Sequence, residues 1–290
     1  SEDINKTISI TFDGVYKNSE IWVNGHYLGK RPNGYISFQY EISPYLNYGE
    51  KSNEIIVKVD NSKQPNSRWY SGSGIFRNVW LETTDKLHIE HSGTYITTPK
   101  VTAEKPSVNI ETRIQNDHSE SKKLTLITTI YKEDKKVTSG STTYITLTPK
   151  SGTLLNVKAE VESPVLWSDE KPELYTAVTE ILVDDKIVDQ YKTNFGIRDF
   201  KFDLNKGFIL NGKQVKIKGV CMHHDLGPLG SAINTRAIER QLEILKEMGV
   251  NGIRTSHNPP APELLDLCDK MGFIVMDEAF DMWKQNKTKY

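Results

Sequence analysis

The chain has 290 residues, length enough for two or three compact domains, and 37% hydrophobic with 26% charged residues is ordinary globular composition. Its 37 basic residues stand against 38 acidic ones, so no basic field exists to draw in nucleic acid or a membrane surface. No apolar run approaches the roughly 18 residues that a membrane span needs, and two cysteines, Cys221 and Cys268, make neither a disulfide framework nor a zinc site. No leader peptide is visible, because Ser1 to Asp3 is polar and Ile8 to Phe12 already alternates like a strand. The compartment stays open: bacterial periplasm, secretion and cytoplasm are all compatible.

Residues 1–86 read as short strands. Ile8, Ile10 and Phe12 share a face, Ile21 and Val23 alternate, and Asn24-Gly25 follows them. Asn-Gly is a strong hairpin signal because both residues tolerate positive φ. Ile55, Val57 and Val59 predict another strand, and Val79 to Leu81 one more. The expectation is a β-sandwich, or part of one.

Residues 87–199 continue in strands: Val108 to Ile114, Leu124 to Tyr131, Thr142 to Thr148, Leu154 to Val161 and Tyr175 to Val183. Polar turns such as Gln115 to Lys123 and Asp184-Asp185 separate them. About seven short strands in such a stretch predict an immunoglobulin-like sandwich. A spacer role is the plain reading.

From residue 200 the period changes. Phe208-Ile209 and Asn211-Gly212 predict a last hairpin, and Val215 to Val220 a strand. Ile238, Leu242, Leu245 and Met248 recur at helical spacing, with Asn234 or Thr235 as the cap and Gly249 as the stop. Asn251 to Arg254 predicts a short strand. Pro260 and Pro262 open a second helix, with Leu264, Leu265, Cys268 and Met271 inward and Gly272 ending it. Phe273 to Asp277 is a third strand. This alternation implies parallel strands with right-handed crossovers.

Functional groups in such folds gather where strands end. The three strands end in Val220 to Asp225, Arg254 to Pro260 and Met276 to Glu278, so His223, His224, His257, Arg254 and several carboxylates meet at one rim. Plainer alternatives stand beside each. A lone histidine is more often structural, and Arg254 could pair with Glu278 or Asp277. His223, His224, Asp225 and His257 could ligate a metal, although their spacing matches no standard motif.

At these residues a resemblance becomes specific. Asn251-Gly252-Ile253-Arg254-Thr255-Ser256-His257, then Asn258-Pro259, then Leu267 to Glu278, resembles the first signature of glycoside hydrolase family 2, with Asn258 where an aromatic residue is usual. Lys218-Gly219-Val220 with His223-His224-Asp225 resembles the entry to that family's barrel. Ser67 to Arg77 resembles a motif of its jelly-roll sugar-binding domain.

The resemblance implies a multidomain β plus α/β architecture. Its parts are the later strands of a jelly-roll β-sandwich (1–86), an immunoglobulin-like β-sandwich (87–199) and the start of a (β/α)8 TIM barrel (200–290). It implies a retaining hydrolase acting on terminal β-D-galactosides, with β-glucuronides and β-mannosides as alternatives on the same scaffold. His223 and His257 match sugar-contacting histidines, and Arg254 an arginine beside the nucleophile; His224, Asp225 and Glu278 are supporting groups. The two catalytic glutamates are expected beyond Tyr290, because no Asn-Glu pair follows the third strand, and Asn53-Glu54 lies inside the first sandwich. Such a chain alone is expected to be inactive.

The resemblance brings no cofactor. Phe280 to Trp283 does not reproduce the metal ligands of some members, and no metal is carried over. A glycan is the expected partner; neither nucleic acid nor membrane is. Only three barrel strands are present, so their exposed faces are expected to be mobile or covered, by another copy in a homo-oligomer or by further segments. A reading of another class is a non-catalytic carbohydrate-binding protein, in which Trp22, Trp69, Tyr70 or Tyr35 stack on sugar rings.

Overall fold

The computed structural model describes residues 2–63, 69–99, 101 and 106–281. They form two compact units, one of residues 8–83 with those from 217 on, the other of Asn5–Thr7 with Thr84–Lys216.

In the first unit, Phe38–Glu41, Thr7–Phe12 and Val79–Thr84 make one three-stranded sheet. His26–Arg31, Ser19–Val23 and Ile55–Lys58 make another. Ile8, Ile10, Phe12, Ile21, Val23 and Phe38 pack together as the core. The alternation of the sequence is thus an alternation of faces. Asn24 (φ 50°) and Gly25 (φ 81°) close the hairpin in the left-handed conformation that their side chains permit.

The same unit carries three parallel strands in the order Gly219–Met222, Gly252–Thr255, Ile274–Met276. Helices Thr235–Glu247 and Pro262–Met271 connect them. Asn234 caps the first helix by accepting from the Ala237 amide at 2.9 Å. Gly272 stops the second at φ 76°. Ile238, Leu242, Leu264, Leu267, Cys268 and Phe273 are buried between helices and strands.

Three details differ from the sequence expectation. The strand foreseen at Val215 to Val220 begins only at Gly219, since Lys213–Gln214 is taken up by the preceding hairpin. Met248 is 71% exposed, being the C-cap residue beyond the last full turn. Leu265 is only half-buried and Leu267 takes the inward place, because the buried row follows i, i+3, i+4 from Leu264.

The second unit is a two-sheet sandwich. One sheet runs Ser151–Glu160, Ser107–Asn116, Leu87–Thr97. The other runs Lys135–Ser141, Lys122–Lys132, Tyr175–Val183, Lys186–Phe195, with Ile145–Leu147 also pairing to Lys122–Lys132. The strand expected over Thr142 to Thr148 is therefore shorter. The preceding Lys135–Ser141, mostly exposed, is an edge strand that hydrophobic alternation did not announce. Ile110, Ile114, Leu124, Leu126, Ile130, Ala177 and Ile181 are fully buried at its centre. Asp184 (φ 48°) and Asp185 (φ 60°) make the tight turn their polarity suggested. The hairpin from Phe200 to Gln214 packs with this unit, so by packing the break falls after Lys216. No helix among the described residues is long and apolar enough to cross a membrane.

Two outcomes follow from these cores. Leu126→Ala removes a fully buried side chain between two sheets and should cost about 3 kcal/mol, read as a lowered urea midpoint of the sandwich transition with its slope unchanged. Burial, reinforced by Asp269, pushes the Cys268 thiol up to about 12, whereas hydrogen bonds with Ser256 and then Arg254 lower that of exposed Cys221. Iodoacetamide on the folded chain at pH 8 should therefore alkylate Cys221 and spare Cys268 until urea is added; peptide mass spectrometry showing both modified together would contradict this.

Candidate functional site

The parallel register pairs Cys221 with Arg254 and Arg254 with Met276, which sets the three strand ends level. His223 follows the first strand, Ser256 and His257 the second, Asp277 and Glu278 the third. Level ends make one rim out of residues far apart in sequence.

Glu278 ties this rim together. Arg254 Nε donates to its Oε1 at 2.6 Å, and Arg254 Nη2 lies 2.6 Å from the same oxygen. His257 Nδ1 lies 2.6 Å from Glu278 Oε2 and 3.2 Å from Arg254 Nη2. A guanidinium only donates and a carboxylate only accepts, so Nδ1 can satisfy one of them. The shorter contact places the proton on Nδ1, pointing at Glu278, and turns Nε2 outward. Partial burial opposes ionisation of Glu278, but hydrogen bonds from His257 and Arg254 outweigh it and hold the carboxyl below its ordinary range. Contacts to Cys221 and then Glu278 raise the guanidinium further above its usual value, so Arg254 is a fixed cation. Thr255 Oγ1 donates to Asp277 at 3.1 Å and accepts from the Glu278 amide at 3.0 Å, fixing the start of that loop.

His223 Nδ1 lies 2.6 Å from the Ser256 carbonyl oxygen. A carbonyl cannot donate, so Nδ1 carries the proton here too. The His223 and His257 rings are 6.0 Å apart at 75°, less than two strand spacings of about 4.8 Å. Trp69, from the sandwich, stacks on His223 at 5.4 Å and 16° and meets His257 edge-on at 5.6 Å. Its indole Nε1 donates to the Tyr35 hydroxyl at 3.2 Å.

The other expected residues sit apart from this cluster. His224 turns toward the sandwich, 5.3 Å from the Tyr35 ring and 5.9 Å from Phe76. Burial, then the charges of Arg77 and His223, push its pKa down to about 4, so it is neutral at pH 7. Asp225 accepts from the Gly227 amide at 2.8 Å in its own turn, and its charge acts on His224. A groove nearby is lined by Met222, His223, His224, Asn258 and Leu264 but not by His257, so it is not a mouth shared by the two sugar-facing candidates. Among the described residues no three of His, Cys, Asp and Glu stand close enough to hold a metal ion. Trp283 lies outside the described residues.

Of the four aromatics considered for a glycan-binding surface, Trp69 is engaged with the histidines. Trp22 packs on Tyr27 at 5.2 Å, Tyr35 is half-buried, and Tyr70 is exposed. What the sequence did not reveal was the joining of Trp69 and Arg77 to the barrel rim. Arg77 donates to the carbonyls of Pro259 at 2.8 Å and Pro260 at 3.1 Å. Both residues lie in the sandwich motif, and no local pattern announces contact with a segment so remote in sequence.

Three family models match along the chain: Glycosyl hydrolases family 2, sugar binding domain, at residues 1–85; Glycosyl hydrolases family 2 at 87–198; and Glycosyl hydrolases family 2, TIM barrel domain, at 203–286. A beta-galactosidase of Bacteroides ovatus is 51% identical over 288 residues, which are 99% of this chain and 34% of that protein. A putative beta-glucuronidase of Formosa agariphila is 42% identical over 281 residues, 97% of this chain and 26% of that protein. A solved glycosyl hydrolase family 2 member from Bacteroides cellulosilyticus superposes with TM-score 0.95 at 41% identity, covering 100% of this chain and 37% of that one. The chain spans about a third or less of the length of these curated relatives. With its two sandwiches followed by parallel strands that carry the Arg254, His257 and Glu278 rim, the chain belongs to glycosyl hydrolase family 2.

Proposed function

We propose that this chain is the non-catalytic front part of a retaining β-glycosidase, and that its rim holds the sugar while glutamates from further barrel strands cleave it. The observation that carries this is the shared orientation of His223 and His257. Each donates Nδ1–H to a fixed acceptor, the Ser256 carbonyl and the Glu278 carboxylate, which supports a role for Nε2 as the ring nitrogen that meets the sugar. With its proton on Nδ1, such an imidazole accepts at Nε2 from a ring hydroxyl. A contact of this kind strengthens as positive charge develops on the sugar. Arg254 supplies the fixed positive charge that keeps a neighbouring carboxylate nucleophile ionised.

A terminal β-D-galactoside is the favoured substrate. In support, the relative 51% identical bears the name beta-galactosidase, and the His223-His224-Asp225-Leu226-Gly227 segment resembles bacterial enzymes of that kind. β-Glucuronides are the second reading, because a relative 42% identical is named a putative beta-glucuronidase. A glucuronide carries a carboxylate, so comparing nitrophenyl β-galactoside with the glucuronide and the mannoside on the whole gene product separates the readings.

Two outcomes test the role. Residues 279–290 contain no Asn-Glu pair, so the 290-residue chain alone should release no nitrophenol from any of the three glycosides; turnover surviving stringent purification would refute the assignment. In the whole enzyme, His257→Ala should lower kcat/KM on the order of 10²-fold, chiefly through kcat, as expected for a contact that tightens in the transition state. A purely structural histidine would instead lower Tm and leave the kinetics of the folded enzyme unchanged.

A further inference from the structure

We propose that Arg77, a residue of the first sandwich, is a positioning residue for His257, acting through the carbonyls of Pro259 and Pro260; the catalytic consequence rests on the sugar-holding role given to His257 above. Arg77 is only 5% exposed, yet among the described residues no carboxylate accepts a hydrogen bond from it. Its guanidinium is spent on backbone: Nη1 donates to the carbonyls of Asp13 at 3.3 Å, Tyr35 at 2.9 Å and Pro260 at 3.1 Å, and Nη2 to that of Pro259 at 2.8 Å. Burying a cation is costly unless its donors are satisfied, and here two acceptors are sandwich backbone and two are the loop behind His257.

The chemistry of that loop explains why a clamp falls there. Pro259 and Pro260 have no amide hydrogen, so neither can be tied down as a donor in a ladder. Their carbonyls are the remaining backbone handles, and a planar fork can grip two at once where an ammonium is a single point. Burial lowers the Arg77 pKa to about 10, and Glu263, Asp13 and Tyr35 counter it, so the clamp is charged at neutral pH. Gly14 makes room for it: a Cβ there would stand 2.9 Å from Arg77 Cδ and from the Phe76 ring. Asn78 next along the chain hydrogen-bonds Glu263 in the first turn of the helix after the prolines. The Phe76 carbonyl accepts from the Ile233 amide at 2.8 Å. Sandwich and rim are therefore joined at three successive residues, 76 to 78, and the middle one holds the strand end that presents the imidazole.

The test has two arms. In the 290-residue chain, with histidine rings labelled, Arg77→Lys should shift or broaden the His257 Nδ1–H signal and leave in place the His118 Nε2–H signal, whose partner is Asp85. In the whole enzyme the same variant should lower kcat on the order of 10²-fold, as for a displacement of about 1 Å, with KM changed much less. Gly14→Ala, which crowds Arg77 without removing its charge, should give the same signature more weakly and serves if Arg77→Lys does not fold. A folded variant with lowered Tm but an unchanged His257 signal and unchanged kcat would overturn the proposal and make Arg77 a packing residue. If the unmodified enzyme cleaves no β-glycoside, the glycosidase assignment fails while the ring spectrum still decides the positioning.

Discussion

The carboxylate of Glu278 is the constraint on which the rim depends. One oxygen faces Arg254 and the other faces His257, so a single side chain decides a tautomer, a ring orientation and the direction of a guanidinium. None of this would be possible with the strands out of register. Parallel pairing places Arg254 between Cys221 and Met276, and the third strand then delivers Glu278 beside the second. An arrangement of two donors on the two oxygens of one anion also resists substitution, because a neutral amide offers a single accepting oxygen and no charge to balance Arg254. The pair is partly open to solvent, so its value lies in geometry rather than in net stability.

Much of this was legible in the sequence, for reasons that differ by element. The turns at Asn24-Gly25, Asp184-Asp185 and Asn211-Gly212 were readable because positive φ is a local demand that few residues meet. The two helices were readable because amphipathic spacing is also local, and the cap at Asn234 with the stop at Gly272 bounded them. Lys135–Ser141 was not, since an edge strand with polar residues on both faces carries no alternation to find. The start of the first parallel strand was misplaced because Val215, Ile217 and Val220 with intervening lysines look like one strand, while the Val215 amide still serves the hairpin by donating to the Phe208 carbonyl. In each miss, tertiary pairing overrode a pattern confined to neighbours.

The rim was half legible. That His223, His257 and Arg254 would share one end of the strands followed from topology, since strand ends are fixed once the strands are parallel. The pairing of Arg254 with Glu278 stood among the plainer alternatives and is what the structure contains. The same pairing serves both readings: an ion pair that braces the rim also orients His257. Asp225 was grouped with the histidines from its place at the same strand end and from the family resemblance. Its carboxylate caps the turn at Gly227 while its charge still acts on His224, a local contact that the strand-end pattern did not specify.

The sandwich contribution is where sequence reasoning had least purchase. Trp69 stacks on His223 and meets His257 edge-on, while the two imidazoles also meet each other at 6.0 Å, so one ring braces both. Its indole nitrogen is occupied by Tyr35, whose own ring meets His224. His223 remains exposed and His257 half-buried, with the aromatic surface of the sandwich lying against one side of each. A sugar-holding group must be rigid before the ligand arrives, or ordering it consumes the binding free energy. Under the sugar-holding role proposed above, that rigidity comes from outside the barrel, through Trp69 against both imidazoles and Arg77 on the Pro259 and Pro260 carbonyls.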